Sequence, residues 1–276
     1  MDPENSLDAV VTYYDESGLE EPRLANDVGQ IEFARTQQII RQYLVPPPAV
    51  ILDVGGAAGR YACWLAQRGY QVHLIDPVPL HVEQAQAASG RQPDHPIASC
   101  TLGDARQLDV EDNTADAILL LGPLYHLLDI QDRMQALSEC YRTLKPGGSL
   151  FAAGISRFAS IIDGFQTGNF TDPDFSEIMK RDLETGQHRN PTGNPAYFTD
   201  AYFHHPEELK SEVRMAGFEG ETVLAVESIS YMVKNLADNW ADANRRAFIL
   251  EIISKLEHEP SLIGASLHIM CVALKK

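Results

Sequence analysis

Asp53, Asp76 and Asp104 each close a short run with strand-like character: "VILDV", "QVHLID" and "SCTLGD". The first leads into Gly55, Gly56, Ala57, Ala58, Gly59 and Arg60. A glycine turn between a strand and a helix start exposes backbone N–H groups to a nucleotide-like ligand. The dinucleotide pattern G-x-G-x-x-G fits poorly, because counting from Gly55 puts Ala57 and Arg60 where the second and third glycines belong. A carboxylate at Asp53 is also a bad neighbour for a pyrophosphate and a good one for a cation. Groups able to exchange protons or steer an acceptor follow. They are Tyr125 and His126 in "GPLYHLL", Tyr202, His204 and His205 in "YFTDAYFHHP", and Tyr13 and Tyr14 in "TYYDES". Histidine takes a proton near neutral pH. Arg23, Arg35 and Arg157 would suit an acidic or phosphorylated acceptor. The bland alternatives are a helix cap for His205, a hydrogen-bonding role for His126, and ion pairing for the arginines.

The elements that must position these groups alternate along the chain. "IEFARTQQIIRQYL" has helical spacing and is stopped by "VPPP". Apolar runs then alternate with helix-like segments as far as "SLFAAGI". This predicts an α/β fold with a doubly wound, mostly parallel sheet whose ligands sit at the carboxyl ends of the strands. From Ser156 to His205 the chain is rich in Gly, Pro, Asn and aromatic residues, with one short helix near "FSEIMKRDLE". A capped helix ("HPEELKSEVRMAGF"), a strand ("ETVLAVES"), a helix pair over Leu236 to His258 and a last strand ("SLHIMCVALKK") follow. The expected organisation is a cap and helix over 1–45, a binding core over 46–155, a lid over 156–205, and the end of the sheet over 206–276. The last part carries a helical insertion over 228–262 that joins the lid, since long irregular segments within a compact domain often cover active sites.

Taken together these motifs resemble the class I S-adenosylmethionine-dependent methyltransferases. The family's acid-x-G-x-G-x-G motif is matched at Asp53, Gly55 and Gly59, with Ala57 in place of the middle glycine. An acid ending the second strand is present at Asp76 in "HLIDP", a "GDA" turn at Gly103, Asp104 and Ala105, and an "LKPGG" turn at Leu144 to Gly148. The resemblance covers roughly Pro47 to Ile155 and implies a Rossmann-like sheet ending in an antiparallel strand. It implies that Asp53 with Gly55, Gly56, Ala57 and Gly59 holds the methionine end, and Asp76 with Pro77 the ribose. Gly103, Asp104 and Ala105 would hold the adenine, with Leu121 beside the cofactor. Family members that methylate base amines or Gln side chains carry an acid or amide before Pro-Pro-Tyr. Here Gly122 stands there and only Pro123 and Tyr125 match. Metal-dependent catechol methyltransferases need acids after the fourth and fifth strands, where this chain reads "LLLGP" and "AAGIS", so no metal site is implied. What remains resembles the small-molecule branch. Tyr125, His126 and His204 would lie on the acceptor side, with His126 or His204 taking a proton, and Tyr13, Tyr14, Arg35, Arg157, Tyr202 and His205 would contact the acceptor.

Composition agrees. The chain has 276 residues, 44% hydrophobic content and a formal net charge of -17, and a pI near 4.8. Such acidity argues against a nucleic-acid backbone as the main partner. Cys63, Cys100, Cys140 and Cys271 lie far apart, suggesting neither zinc nor a disulfide framework. The start "MDPENSLDAV" lacks a signal-peptide pattern, and "AILLLGPLYHLL" is too short for a bilayer. A cytoplasmic monomer or homodimer acting on a small molecule is expected. The other readings are an NAD(P)-dependent oxidoreductase and a noncatalytic S-adenosylmethionine-binding protein.

Overall fold

The computed structural model describes residues 27–276. After helix α1 (Asp27–Tyr43) come β1 (Val50–Val54), α2 (Arg60–Ala66), β2 (Gln71–Asp76), α3 (Pro79–Gly90), β3 (Ser99–Leu102) and β4 (Ala115–Leu120). A single helical turn α4 (Pro123–His126), helix α5 (Ile130–Thr143) and the long strand β5 (Leu144–Ser156) complete the first part. The second part holds α6 (Ala159–Thr167), α7 (Pro173–Thr185), β6 (Gln187–His188), β7 (Ala201–His204), α8 (Pro206–Met215) and β8 (Glu219–Ala225). It ends with α9 (Leu236–Ala241), α10 (Ala243–Leu256), α11 (Pro260–Ile263) and β9 (His268–Leu274).

Strands β3-β2-β1-β4-β5 pair in parallel, and β9 then runs antiparallel between β5 and β8. This is the expected α/β sheet with its antiparallel end. The middle strands carry near-continuous apolar runs because helices cover both faces. One core cluster gathers Leu52, Ile118, Leu137 and Leu150. The other gathers Ile51, Leu65, Leu74 and Phe151. The "LKPGG" run lies inside β5, where the pairing with β4 steps from Ala115–Leu144 to Ala117–Ser149 and the intervening residues loop out.

Two features depart from expectation. Strand β5 outruns β4, and on the edge so vacated β7 pairs in parallel through Ile155–Phe203 and Ser156–His204. The segment "AYFH" is therefore sheet, although it was expected as irregular lid; four residues between Asp200 and His205-Pro206 show too little alternation to declare a strand. The helix pair α9–α10 was expected to belong to the lid. It packs instead on α1, where Ile31, Trp240 and Ile253 form a separate core and Trp240 Nε1 donates to Gln30 Oε1 at 2.8 Å. None of its residues lines the cavities described below. No helix among the described residues is long and apolar enough to cross a membrane.

Candidate active site

Three adjoining cavities open at the carboxyl ends of β1, β2, β4 and β5, each spanning roughly 700–770 Å³ with the solvent at its mouth included. The first is floored by Gly55, Ala57, Asp76, Pro77 and the Gly103–Asp104–Ala105 turn, and walled by His126. The third is lined by Asp53, Gly55, Gly56, Ala57 and Leu121, with Glu32 and Thr36 reaching in from α1 and Arg60 from α2. The second lies beyond, between the end of β5 and α6, α7 and β6, and its walls include Ile155, Phe175, Tyr197, Phe198, Phe203 and Leu267. Tyr125 lines all three.

The glycine turn is built for close approach. Gly55 and Gly59 have φ of 72° and 79°, and even Ala57 is left-handed at 46°, a conformation in which only glycine avoids a steric penalty. At Gly56 the constraint is space: a Cβ would stand 2.8 Å from the Asp53 carboxyl and from Leu74 Cδ1. A cradle this tight leaves backbone rather than side chain facing the cavity.

Asp53 is 1% exposed, and its Oδ2 meets no donor among the described residues. Burial, then the nearby Asp76 charge, pushes its carboxyl up to about 7, against a backbone hydrogen bond from Ala62. A cationic ligand group at Oδ2 would supply both the missing donor and the missing charge. Asp76 is differently placed. One oxygen accepts from Ala57 N at 2.8 Å; the other accepts from Val78 N at 3.0 Å and meets His81 Nδ1 at 3.0 Å. A carboxylate offers about four lone-pair sites, so one acceptor position remains for a hydroxyl in the first cavity. The Asp104 carboxylate is gripped by the Arg106 guanidinium, which also reaches Asp132 at 2.9 Å.

On the acceptor side the structure corrects several expectations. His204 lines none of the three cavities; it is fully buried against Gly154 of β5, its Nε2 faces Glu212 at 3.3 Å, and burial lowers its basicity. Tyr202 lies between two guanidinium groups, with Arg133 3.7 Å from its ring centroid. Arg157 donates to Phe203 O at 2.8 Å and pairs with Glu208 at 2.5 Å, tying β7 to α8. Arg35 is buried against Glu257 and Val226 O, bracing α1. His205 caps α8. Arg35, Arg157 and His205 bond to backbone, Tyr202 and His204 meet other side chains, and none of the five lines the three cavities. Tyr202 and His204 meet at the buried Arg133–Glu212 pair. Burial alone would raise the Glu212 carboxyl, but hydrogen bonds from His204 and Arg133 hold it down at about 2. Tyr13, Tyr14 and Arg23 lie outside the described residues. Gly59 lies behind the turn, against Ala85.

Sequence reasoning missed other groups. His81 beside Asp76 was legible, five residues on in "DPVPLH". Ser160 and Asp163 face the second cavity from α6; Ser160 Oγ has no partner among the described residues, and burial raises the Asp163 carboxyl. His268 lines both the second and third cavities. Its Nδ1 lies 2.5 Å from buried Glu227 and 3.9 Å from Glu32. The ligand-capable atoms of these three lie within 4.8 Å of one another, close enough to hold a metal ion, where no metal site was expected. Glu227 and His268 stand 41 residues apart, and only the pairing of β8 with β9 joins them.

A family model described as a methyltransferase domain matches residues 52–152. An uncharacterized methyltransferase of Mycobacterium tuberculosis is 32% identical over 109 residues, 39% of this chain and 41% of that protein. The match thus spans about two fifths of that relative. A ubiquinone biosynthesis O-methyltransferase of Xanthomonas axonopodis pv. citri is 28% identical over 221 residues, 76% of this chain and 77% of that protein. In shape, the chain matches a S-adenosylmethionine-dependent methyltransferase of Thermotoga maritima, described as a possible histamine N-methyltransferase. The TM-score is 0.56 and the identity 19%, over 99% of this chain and all of that one.

Proposed function

We infer that this chain, which belongs to the class I S-adenosylmethionine-dependent methyltransferases, moves the methyl group of S-adenosylmethionine to a small organic acceptor in the second cavity. The observation that carries this reading is the meeting of the cofactor-side and acceptor-side cavities at Tyr125, which lines all three. Asp53 and the Gly55–Gly59 turn would hold the methionine end, Asp76 the ribose, and Asp104 with Ala105 the adenine edge. When bound, the cofactor supplies an electrophilic methyl on a sulfonium, which becomes a neutral thioether as the acceptor takes the methyl.

The chain's own work is alignment and exclusion of water. Holding two reactants in line can lower the barrier by ~7–11 kcal/mol. Residues 156–205 serve as the lid: α6, α7 and β6 close the acceptor space with Phe175, Tyr197 and Phe198. Those apolar walls favour a ring-bearing acceptor over a charged one. The O-methyltransferase description of the Xanthomonas relative supports oxygen as the accepting atom.

Calorimetric titration with S-adenosylmethionine and S-adenosylhomocysteine, followed by thioether release over a panel of ring-bearing alcohols, phenols and amines, tests this. Micromolar binding with turnover of one acceptor class is expected. Binding without turnover of any class would favour a noncatalytic binder. Tight NADH binding in place of both adenosyl ligands would overturn the reading.

A further inference from the structure

We propose that Ser160 and Asp163 of α6 form a recognition site for a hydroxyl group of the acceptor, other than the one that takes the methyl. The proposal rests on the methyl-transfer reading above and adds the substituent by which the acceptor is selected.

The second cavity has largely apolar walls, and its polar side chains fall into two groups. His188 has both ring nitrogens engaged, Nδ1 with Asp182 at 2.7 Å and Nε2 with Tyr197 O at 2.8 Å. The Tyr197 hydroxyl is bonded to Asp172, and His268 to Glu227. Ser160 and Asp163 are different. Ser160 is 5% exposed, and its Oγ finds no partner among the described residues. A serine within a helix commonly bonds back to the preceding turn or to the backbone beside it. This one does neither. Among the described residues no hydrogen bond or ion pair engages the Asp163 carboxyl, and burial raises it.

Packing aims both side chains. Ala159 beside them is clustered with Ile155, Ala201 and Phe203. Gly164 lies so close on α7 that a Cβ there would stand 2.8 Å from Met179 Sδ and 2.9 Å from Phe175 Cε1. Helix α6 is thereby fixed against rotation. Ser160 and Asp163, three residues apart, are neighbours on the face it turns to the cavity.

Their place decides which oxygen they hold. Both line the second cavity alone, whereas Tyr125 and His268 also line cofactor-side space. An oxygen held at α6 stands off that space, so the reacting oxygen is another one. Their chemistry decides the substituent. An acceptor that fills the cavity displaces water from both side chains and must replace the bonds that water made. A hydroxyl does so with one oxygen, donating to Asp163 and accepting from the Ser160 hydroxyl. An ammonium offers donors only and leaves the serine proton unmatched. A carboxylate meets like charge at Asp163, and an ether has no proton to give.

The probes are 1,5-, 2,6- and 2,7-dihydroxynaphthalene, which differ in the spacing of their hydroxyls, with their monomethyl and dimethyl ethers. Each is titrated calorimetrically into the full chain, with and without S-adenosylhomocysteine. For the diol of fitting spacing, Asp163→Ala should weaken binding ~10–100-fold and Ser160→Ala ~3–10-fold, with the dimethyl ether unchanged in both. Asp163→Asn keeps an acceptor oxygen and should fall between. In turnover, the wild type should prefer that diol to its monomethyl ether at least ~10-fold in kcat/KM, and Asp163→Ala should bring this toward the ~2-fold that two equivalent hydroxyls give by count. Circular dichroism and S-adenosylhomocysteine affinity report whether each variant is folded.

A dimethyl ether bound as tightly as every diol overturns the proposal, as does a hydroxyl preference that all three variants keep. Tighter binding of 6-hydroxy-2-naphthoate or 6-(aminomethyl)-2-naphthol than of any diol also overturns it, by putting a charge at α6. So does a chain that binds S-adenosylhomocysteine and none of the naphthalenes. The methyl-transfer reading falls separately, if the wild type binds neither adenosyl ligand; the cofactor-free titrations then still decide the hydroxyl site.

Discussion

The two sides of the site use their polar residues in opposite ways. On the cofactor side, Asp53 and Asp76 stand at the ends of β1 and β2 with acceptor positions still open toward a cavity. Around β7, Arg133, Arg157, Tyr202, His204 and Glu212 contact one another in a buried network lining none of the cavities. The difference follows from backbone. A parallel sheet bonds its own main chain, so side chains at its strand ends are free for ligands. The loop joining α4 to α5 must anchor otherwise orphaned carbonyls, and Arg133 does so at Leu127 O and Leu128 O, both at 3.0 Å. Polar side chains in a ligand-rich neighbourhood are thus evidence for a site only after the backbone's needs are met.

The largest effect expected from this contrast lies in the buried network around β7. Arg133→Met should destabilise the chain by ~3–5 kcal/mol, because it strands the buried Glu212 charge. The double change Arg133→Met with Glu212→Leu should regain most of that loss. Urea unfolding checks both, and whichever variants stay folded should bind S-adenosylhomocysteine nearly as the wild type does. A selective loss of ligand affinity at unchanged stability would put the network in the site after all.

Asp76→Ala should do the reverse, weakening adenosyl-ligand binding by ~10–100-fold through the loss of an ionised acceptor worth ~1.5–3 kcal/mol. Part of that loss comes through Ala57, whose N–H is bonded to Asp76 and whose left-handed backbone shapes the turn. Asp76→Asn keeps an acceptor oxygen and should fall between. Calorimetry on the three proteins separates them.

A smaller effect concerns Asp53. Its unfolded value is ~3.9, and folding raises it to about 7, so the native state holds this proton more tightly than the unfolded chain. Its burial penalty is absent below the lower value, grows between the two and is complete above the higher one. Its contribution to stability therefore falls as pH rises through that window, and Asp53→Asn should flatten that part of the profile. A ligand ammonium at Oδ2 favours the carboxylate. Binding at pH 6–7 should then release a fraction of a proton, visible in calorimetry as a dependence of binding heat on the buffer's ionisation enthalpy. Proton uptake would show that the cation binds elsewhere.

The cofactor side was legible because its signals are local. A strand, an acid and a glycine turn occupy ten residues, and sequence neighbours remain spatial neighbours. The acceptor side joins α6, β6, β7 and the start of β9 around one space, with contacts more than a hundred residues apart, such as Ser156 Oγ to Gly264 O at 2.7 Å. The "HH" of His204 and His205 attracted attention as a pair, yet alternation along β7 and the start of α8 gives them unrelated surroundings. His268 sits in the otherwise apolar "SLHIMCVAL", where a lone histidine carries no signal until Glu227 is brought beside it.

His205 offers the mildest test of that reading. Its side chain accepts from Glu207 N, while Glu208 returns a bond to His205 N at 2.9 Å, so the two close a capping box on α8. Losing such a cap costs about 1 kcal/mol. His205→Ala should lower the unfolding midpoint modestly, and His205→Asn, a strong capping residue, should restore it. Neither should change the Michaelis constant for an acceptor, since the ring caps a helix and lines none of the three cavities. An altered Michaelis constant with unchanged stability would return His205 to the acceptor side and narrow the division between the two halves of the site.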